Sequence, residues 1–429
     1  MRFYSTNRNS PDVSLREAVF RGLPPDNGLY MPQHIPALPK QFFDRLPQLS
    51  LKEAGIEVSK ALLGDDIDAA SLESIVSEAL DFPTPVVRLD THTSVQELFH
   101  GPTLAFKDVG ARFMARLMGH FLQGEDTQLH ILVATSGDTG SAVAQGFLGV
   151  EGIHVTILYP KGKVSHIQEQ QLTTNGQNIT ALEIEGTFDD CQAMVKQAFL
   201  DEELQGKLRL TSANSINVSR LIPQSFYYFY AAGQTGWKEP LTFITPSGNF
   251  GNLCGGLLAA KMGLPISHFV AATNANAVFP EYIRTGDYQP KPSVRTIANA
   301  MDVGNPSNFA RLQELFDKDH QKVIAHISST SVKDNIIRET IHEASEKYGY
   351  VLCPHTATAY KAWEDLGDKL GGQGIVLSTA HPCKFGDVVE PILNKKVAIP
   401  DRLKAIVNRE KQAISMPASF AALKEHLLN

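Results

Sequence analysis

The stretch HILVATSGDTGSAVAQGFL, residues 130–148, combines three patterns that decide the fold class. Residues 130–134 form a short β-rich apolar run, residues 135–140 are small and polar with two glycines, and residues 141–148 are helical in composition. A strand, a glycine turn and a helix in direct succession predict one βα unit of a parallel sheet. Ligands of such sheets bind at the carboxyl ends of the strands, so residues 135–140 are a candidate binding loop.

The same alternation recurs along the chain, whereas the first 80 residues differ. Further strands are predicted at residues 153–159, 241–245, 268–273 and 374–378, with helices at 253–262 and 332–348. In the first 80 residues, helices are predicted near 14–20 and 51–63, and consecutive turns are predicted in the Pro- and Gly-rich residues 21–32. The chain is therefore predicted to be α/β, with mostly parallel sheet and an N-terminal, mainly helical unit.

Lys107 lies at the centre of the stretch HGPTLAFKDVG, residues 100–110, just before a helix predicted to start near Asp108. The positive end of a helix dipole disfavours an ammonium, and the apolar neighbours suggest a partly dry site. Both effects lower the pKa of an amine and favour the neutral form that Schiff-base chemistry needs. The alternative interpretation is an ordinary surface lysine paired with Asp108.

Two glycine-containing loops, residues 135–140 and 247–251, each precede a helix and are candidate cradles for phosphate or carboxylate. Neither matches a dinucleotide or Walker pattern, and either could be only a tight connection. The polar stretch 212–220 places amides and hydroxyls near Arg220, which can bind a tetrahedral anion. Its alternative interpretation is a helix capped by Asn214 or Ser215, with Arg220 on the solvated face.

Composition narrows the classes of function. A formal net charge of −7, with no dense Lys/Arg block, argues against nucleic-acid binding and favours a small-molecule ligand. The four cysteines, Cys191, Cys254, Cys353 and Cys383, lack zinc-ligand spacing, so no metal site is predicted. No signal-peptide core or long apolar span is evident, and a cytoplasmic protein without membrane contact is expected.

Together these motifs resemble the threonine synthase family, pyridoxal-phosphate enzymes of the tryptophan-synthase-β-like fold (fold type II), in its longer bacterial and fungal form. The resemblance extends from residues 21–32 to residues 379–382. It implies two open, mostly parallel sheets with helices on both faces, plus the N-terminal unit. The implied domains are an N-terminal domain at 1–80, a large cofactor-binding domain at 81–125 and 186–429, and a small mobile domain at 126–185.

The resemblance also implies residue roles. Lys107 would form the Schiff base with pyridoxal 5'-phosphate and act in catalysis, and Thr379 would face the pyridine nitrogen as a hydroxyl partner. The cofactor phosphate would be held by Ser247, Gly248, Asn249, Phe250 and Gly251. The substrate carboxylate would be received by Thr135, Ser136, Gly137, Asp138 and Thr139. The substrate phosphate would be bound by Asn214, Ser215 and Arg220. Many fold-type-II relatives carry Asn where Asp138 stands, although Asp is expected in the longer threonine synthases. Because this carboxylate would lie beside the substrate carboxylate, it is expected to face hydroxyl or amide donors.

The implied reaction converts O-phospho-L-homoserine and water into L-threonine and inorganic phosphate. A threonine or serine dehydratase on the same fold is the alternative enzyme, and it would have no need of a phosphate clamp at Arg220. A non-catalytic binding protein of the same fold is the alternative from another class, and the intact Lys107 argues against it. The expected assembly is a monomer or a homodimer.

Overall fold

The computed structural model describes residues 1–236 and 239–429. Its largest sheet has six strands, of which five are parallel and the edge strand Val86–Arg88 is antiparallel to its neighbour. In spatial order the strands are Ile327–Ser331, Ile266–Thr273, Leu241–Pro246, Gln373–Ser378, Thr93–Glu97 and Val86–Arg88. The strands Leu241–Pro246, Gln373–Ser378 and Thr93–Glu97 are parallel neighbours in this order. The loops that follow them therefore lie together at the carboxyl-terminal end of the sheet.

The second sheet has five strands, all parallel. In spatial order they are Ile414–Pro417, Ile179–Glu185, Ile153–Pro160, Leu129–Ala134 and Arg209–Ser212. The first and last of these lie outside residues 126–185, and the domain limits drawn from the sequence stay a prediction. The presence of two open, mostly parallel sheets is confirmed.

Helices cover both faces of the six-stranded sheet. Phe243 and Ile244 are consecutive buried residues of one strand and belong to different apolar clusters. Phe243 shares its cluster with the helix Gly251–Lys261, and Ile244 shares its cluster with the helix Pro354–Leu370. Because successive strand residues point to opposite faces, the two helices lie on opposite sides of the sheet.

The N-terminal unit is mainly helical, as predicted, and also contains a small antiparallel sheet. Its helices are Leu15–Arg21, Lys40–Arg45, Leu51–Leu63 and Ala69–Ala79, and its strands are Val13–Ser14, Arg2–Ser5 and Tyr30–Pro32. The prediction of turns throughout residues 21–32 is wrong at its end. Tyr30 and Met31 are buried and pair with the strand Arg2–Ser5. Burial and strand pairing therefore outweigh the turn-forming composition of the neighbouring residues.

The predicted helices and strands in the rest of the chain are confirmed, with shifted ends. The helix expected near Asp108 begins at Lys107, and the helices expected at 141 and 253 begin at Asp138 and Gly251. The remaining helices are Lys107–Leu122, Asp138–Phe147, His166–Thr173, Phe188–Leu200, Glu202–Lys207, Val218–Leu221, Phe226–Thr235, Gly251–Lys261, Val278–Thr285, Phe309–Leu315, His320–His326, Asp334–Tyr348, Pro354–Leu370, Gly386–Leu393, Asp401–Val407 and Phe420–Leu428. Short 3₁₀ turns occur at Leu46–Gln48, Ile222–Ser225, Asn299–Met301 and Pro382–Phe385.

Arg311 joins the N-terminal unit to the rest of the fold. Its guanidinium is fully buried and donates to the carbonyl oxygens of Tyr30 at 3.0 Å and Ile216 at 2.7 Å, and to Oδ1 of Asn308 at 2.8 Å. Burial lowers the pKa of Arg311 to about 10. The strand Tyr30–Pro32 is thereby held beside the polar stretch 212–220.

In the part of the chain that the structure describes, no helix combines the length and apolar character needed to cross a bilayer.

Gly256 tests how tightly the helix Gly251–Lys261 packs. A Cβ at Gly256 would lie 2.6 Å from ring atoms of Phe269 and of Tyr228. We expect Gly256→Ala to lower the free energy of unfolding by about 2 kcal/mol, because a buried methyl group without space forces neighbours apart. Gly206→Ala, where a Cβ meets nothing within 4 Å, should stay within about 1 kcal/mol of wild type. Urea unfolding of both variants measures the difference, and equal midpoints would contradict the packing.

Candidate active site

Lys107 lies at the start of a helix and beside the loop that carries Thr379. The residue before it, Phe106, donates its backbone N–H to the carbonyl oxygen of Thr379 at 2.9 Å, and Ala105 forms an antiparallel bridge with Ala380. Leu104 has a φ of 56°, in the left-handed region that costs a branched residue free energy. Two of the residues singled out in the sequence are thus brought together by a strained loop.

Asp108 does not pair with Lys107. Its carboxylate is buried and accepts hydrogen bonds from the backbone N–H of Thr103 at 2.8 Å and from the hydroxyl of Thr103 at 2.7 Å. Burial raises the pKa of Asp108 to about 6, against the opposing effect of these hydrogen bonds. A Cβ at Gly101 would lie 2.4 Å from Oδ2 of Asp108, so only glycine fits there. The alternative interpretation of Lys107 as a surface lysine paired with Asp108 is therefore wrong.

The amine of Lys107 is tuned toward its neutral form. Burial lowers the pKa of Lys107 to about 8, and the positive charges of Arg220 and Lys384 act in the same direction. The carboxylate of Asp138 opposes them. A neutral amine near physiological pH is what a nucleophile or a general base requires.

Residues 247–251 form a fixed loop before the helix Gly251–Lys261. Asn249 donates its side-chain amide to the hydroxyl of Ser215 at 2.8 Å, and Ser247 shares a 2.8 Å hydrogen bond with the hydroxyl of Thr245. A Cβ at Gly248 would lie 2.9 Å from the carbonyl oxygen of Ala300. Phe250 has a φ of 60°, which turns the chain into the helix.

This loop fits a phosphate group. The backbone N–H groups of Gly248, Asn249, Phe250 and Gly251 make no hydrogen bond to other described residues. Unpaired N–H groups at the positive end of a helix of this length favour an anion. The residues present therefore suit the phosphate of pyridoxal phosphate.

The loop 135–139 also leads into a helix, and its hydrogen-bond partners differ from those of the loop 247–251. The hydroxyl of Thr135 accepts from the N–H of Gly137 at 3.0 Å and of Gly140 at 2.8 Å, while the N–H groups of Ser136, Asp138 and Thr139 have no partner among the described residues. Those three groups are available to a carboxylate, as the sequence led us to expect. The role itself stays a prediction.

The side chain of Asp138 faces an ammonium and an amide. Oδ1 of Asp138 lies 2.7 Å from Nζ of Lys384 and accepts from Nε2 of Gln168 at 2.9 Å. Burial would raise the pKa of Asp138, but the charges of Lys384 and Lys107 outweigh it and hold that pKa well below its usual range. The carboxylate is therefore ionised, with the expected amide donor and an additional lysine.

Arg220 is buried inside the polar stretch 212–220. Its Nη1 donates to the carbonyl oxygen of Ala213 at 2.6 Å, whereas its Nε has no partner among the described residues. A Cβ at Gly110 would lie 2.9 Å from that Nε. The helix Val218–Leu221 is capped by Asn217, and Arg220 is only 3% exposed. The alternative of a solvated Arg220 on a helix capped by Asn214 or Ser215 is therefore wrong.

Sequence reasoning missed three residues of this region. Lys384 follows the predicted strand at 374–378, and its position after that strand was a usable signal. His355 is buried, accepts the N–H of Ala300 through Nε2 at 3.1 Å, and so supports the turn that faces Gly248. Burial lowers the pKa of His355 to about 4, which keeps the ring neutral. No motif in the sequence around Gln168 indicates that its side chain contacts Asp138.

Comparison with known proteins agrees with this geometry. The family model "Pyridoxal-phosphate dependent enzyme" matches residues 78–379, which contain Lys107 and the loops described above. The fold and the site thus define a pyridoxal-phosphate-dependent enzyme of fold type II. The models "Threonine synthase N terminus" and "Threonine synthase, C-terminal" match residues 2–80 and 356–427.

Relatives and solved structures give the same family. Threonine synthase from Escherichia coli (strain K12) is 42% identical over 100% of both chains, and that from Pseudomonas aeruginosa is 33% identical over 99% of this chain and 97% of the relative. The crystal structure of PLP-bound threonine synthase from Brucella melitensis superposes with a TM-score of 0.95 at 33% identity, covering 100% of this chain and 98% of that one. The chain belongs to the threonine synthase family. The predicted family, fold and cofactor are confirmed, and the dehydratase alternative is not favoured.

His355 gives a pH-dependent contribution to stability. Its pKa is lower in the folded state than in an unfolded chain, so the unfolded state takes up a proton first as the pH falls. This contribution to the free energy of unfolding is complete above about pH 6.5 and is lost as the pH falls through 4, by about 3 kcal/mol. His355→Gln keeps an acceptor for Ala300 and removes the titration. Its free energy of unfolding should fall less steeply over this window than that of wild type, and identical slopes would contradict the burial effect.

Proposed function

We propose that this chain carries out the threonine synthase reaction with the residues placed above, converting O-phospho-L-homoserine and water into L-threonine and inorganic phosphate. The observation that supports the proposal is the presence of two separate groups of hydrogen-bond donors without partners, one of which, Arg220, acts electrostatically on Lys107. One is the loop 247–251, with unpaired N–H groups at a helix start. The other is the buried Arg220, with an unpaired Nε.

Lys107 is the proposed general base. Its lowered pKa lets it accept a proton from the α-carbon of the substrate and, after releasing that proton, one from the β-carbon, so that phosphate can leave from the γ-carbon. One proton then returns to the γ-carbon and one to the α-carbon. The oxygen of water adds at the β-carbon and its remaining proton goes to the released phosphate. Bound pyridoxal phosphate supplies an electron sink for the negative charge that develops on the substrate. Thr379 would face its pyridine nitrogen, and Ser247, Gly248, Asn249, Phe250 and Gly251 would hold its phosphate.

The substrate is proposed to be held at both ends. The N–H groups of the loop 135–139 receive its carboxylate, and Arg220 binds its phosphate together with Asn214 and Ser215. A guanidinium positions a phosphate and also stabilises the charge of that phosphate as it departs. A dehydratase substrate has no phosphate, so Arg220 would serve no purpose in that reaction.

Several broader features are also part of the proposal. The small domain at 126–185 closes on the substrate against the large domain at 81–125 and 186–429. The protein is cytoplasmic, binds neither nucleic acid nor membrane, and is a monomer or a homodimer. Light scattering on the purified protein tests the assembly.

Lys107→Ala tests the covalent role. Wild-type protein should show a visible cofactor band that borohydride abolishes, and the cofactor should then stay attached through dialysis. In Lys107→Ala no cofactor should be fixed by borohydride, and release of threonine and phosphate should fall by at least about 1,000-fold, because general base and covalent anchor are lost together. Full turnover in this variant would end the proposal.

Arg220→Ala tests the phosphate clamp. We expect kcat/KM for O-phospho-L-homoserine to fall on the order of 100- to 1,000-fold, because a buried donor to the departing phosphate is removed. Arg45→Ala is the matched control, since Arg45 is an exposed arginine 3.8 Å from Glu57, and it should behave as wild type. Normal turnover in an Arg220→Ala protein that keeps its cofactor band would show that the substrate phosphate binds elsewhere.

A further inference from the structure

Lys384 is a lysine whose side chain is fully buried, and it makes two contacts beside Lys107. Its Nζ lies 2.7 Å from Oδ1 of Asp138 and donates to the carbonyl oxygen of Thr103 at 2.9 Å. The side chains of Lys384 and Asp138 are 0% and 5% exposed. A buried ammonium persists only when its charge is compensated, so these contacts are a requirement of the fold.

The contacts of Lys384 join the two sheets. Thr103 and Lys384 follow the strands Thr93–Glu97 and Gln373–Ser378 of the six-stranded sheet, whereas Asp138 follows Leu129–Ala134 of the five-stranded sheet. Thr103 also binds the carboxylate of Asp108, the residue next to Lys107. One ammonium thus fixes the loop before Lys107 and the start of the helix Asp138–Phe147 in the same place.

Lys384 is not placed to bind a ligand itself. Its side chain has no exposed surface, and its ammonium is already engaged with Asp138 and Thr103. Arg220, by contrast, keeps an unpaired Nε. Any influence of Lys384 on the reaction must therefore pass through the groups it holds.

The group it holds most closely is Asp138. Oδ1 of Asp138 is occupied by Lys384 and Gln168, whereas Oδ2 accepts no hydrogen bond from a described residue. Lys384 therefore fixes which oxygen of the carboxylate is left to accept from a donor in the site. It also balances the negative charge that Asp138 presents to Lys107.

We propose that Lys384 is a positioning residue of this enzyme, which orients the Asp138 carboxylate across the two sheets and sets the charge that surrounds the amine of Lys107. The proposal rests on the proposed function, in which that amine is the general base.

The charged groups that face Lys107 define the expected effect. Asp138 raises the pKa of Lys107, and Arg220 and Lys384 lower it, whereas His355 is neutral and Asp108 is turned to Thr103. Removal of the Lys384 charge leaves the attraction to Asp138 unbalanced. The amine then stays protonated to a higher pH and is less available as a base.

The experiment compares Lys384→Met and Lys384→Arg with wild type as holoenzymes. For Lys384→Met we expect kcat to fall at least about tenfold. We also expect the apparent pKa of the acid limb of the kcat–pH profile to rise by about one unit, with a parallel shift in the pH dependence of the visible cofactor band. Lys384→Arg keeps the charge and should leave the acid limb near the wild-type position.

A double variant separates positioning from a loss of folding. Lys384→Met with Asp138→Asn leaves no lone buried charge, so it should fold and bind cofactor even where the single variant does not. Because both opposing charges on Lys107 are then absent, its acid limb should return to within about half a unit of wild type while kcat stays low. Lys424→Met is the control. Lys424 lies in the helix Phe420–Leu428 and pairs with Asp201 at 2.9 Å, and the variant should match wild type.

The outcomes distinguish this proposal from the proposed function. If wild type forms threonine and Lys384→Met has the wild-type kcat and acid limb, the role of Lys384 is overturned and the proposed function stands. An acid limb that the double variant leaves displaced would overturn it as well. If wild type itself forms no threonine from O-phospho-L-homoserine, the proposed function fails first.

Discussion

Burial of positive charge is the constraint on which the active site depends. Lys107, Arg220 and Lys384 lie in one low-dielectric region, in which the carboxylate of Asp138 acts on Lys107 and on Lys384 and that of Asp108 acts on Arg220. Burial lowers the pKa of Arg220 to about 10, and its guanidinium remains charged at neutral pH. The surplus of cations is compensated when anions enter, which is why a site of this composition suits a cofactor and a substrate that both carry phosphate.

Close approach of backbone segments is what brings these charges together. A Cβ at Gly101 would collide with Asp108, and one at Gly110 would collide with Arg220. Gly248 likewise allows the loop 247–251 to pass the turn at Ala300. Gly101 and Gly110 lie on either side of Lys107 in the stretch 100–110, and Gly248 lies in a distant segment; at each of them the missing side chain permits a close contact in or next to the site. The electrostatics of the site therefore depends on small residues that carry no charge.

The regular elements could be predicted from sequence because their patterns are local. The helix at 51–63 has the predicted bounds, and five strands, at 129–134, 153–160, 241–246, 266–273 and 373–378, were predicted from short apolar runs. The strands Thr93–Glu97, Ile179–Glu185 and Ile327–Ser331 were not predicted. The edge strands Arg209–Ser212 and Ile414–Pro417 were not found, because short, half-exposed strands lack a continuous apolar run. The strand Tyr30–Pro32 was hidden by turn-forming neighbours, and only its pairing with Arg2–Ser5 defines it.

Candidate site residues could be predicted from the sequence where they form one contiguous motif. They could not be predicted where a residue's role depends on contacts with residues distant in the chain. Arg220 and Arg311 illustrate the limit, since both are buried arginines beside the same polar stretch. Arg311 binds the carbonyl oxygens of Tyr30 and Ile216 and an oxygen of Asn308, and every nitrogen of its guanidinium is used. Arg220 donates only from Nη1, to the carbonyl oxygen of Ala213, and its buried Nε has no partner among the described residues. The difference between an arginine that holds the fold and one that can hold a ligand is thus its unused donors, which only the folded chain decides.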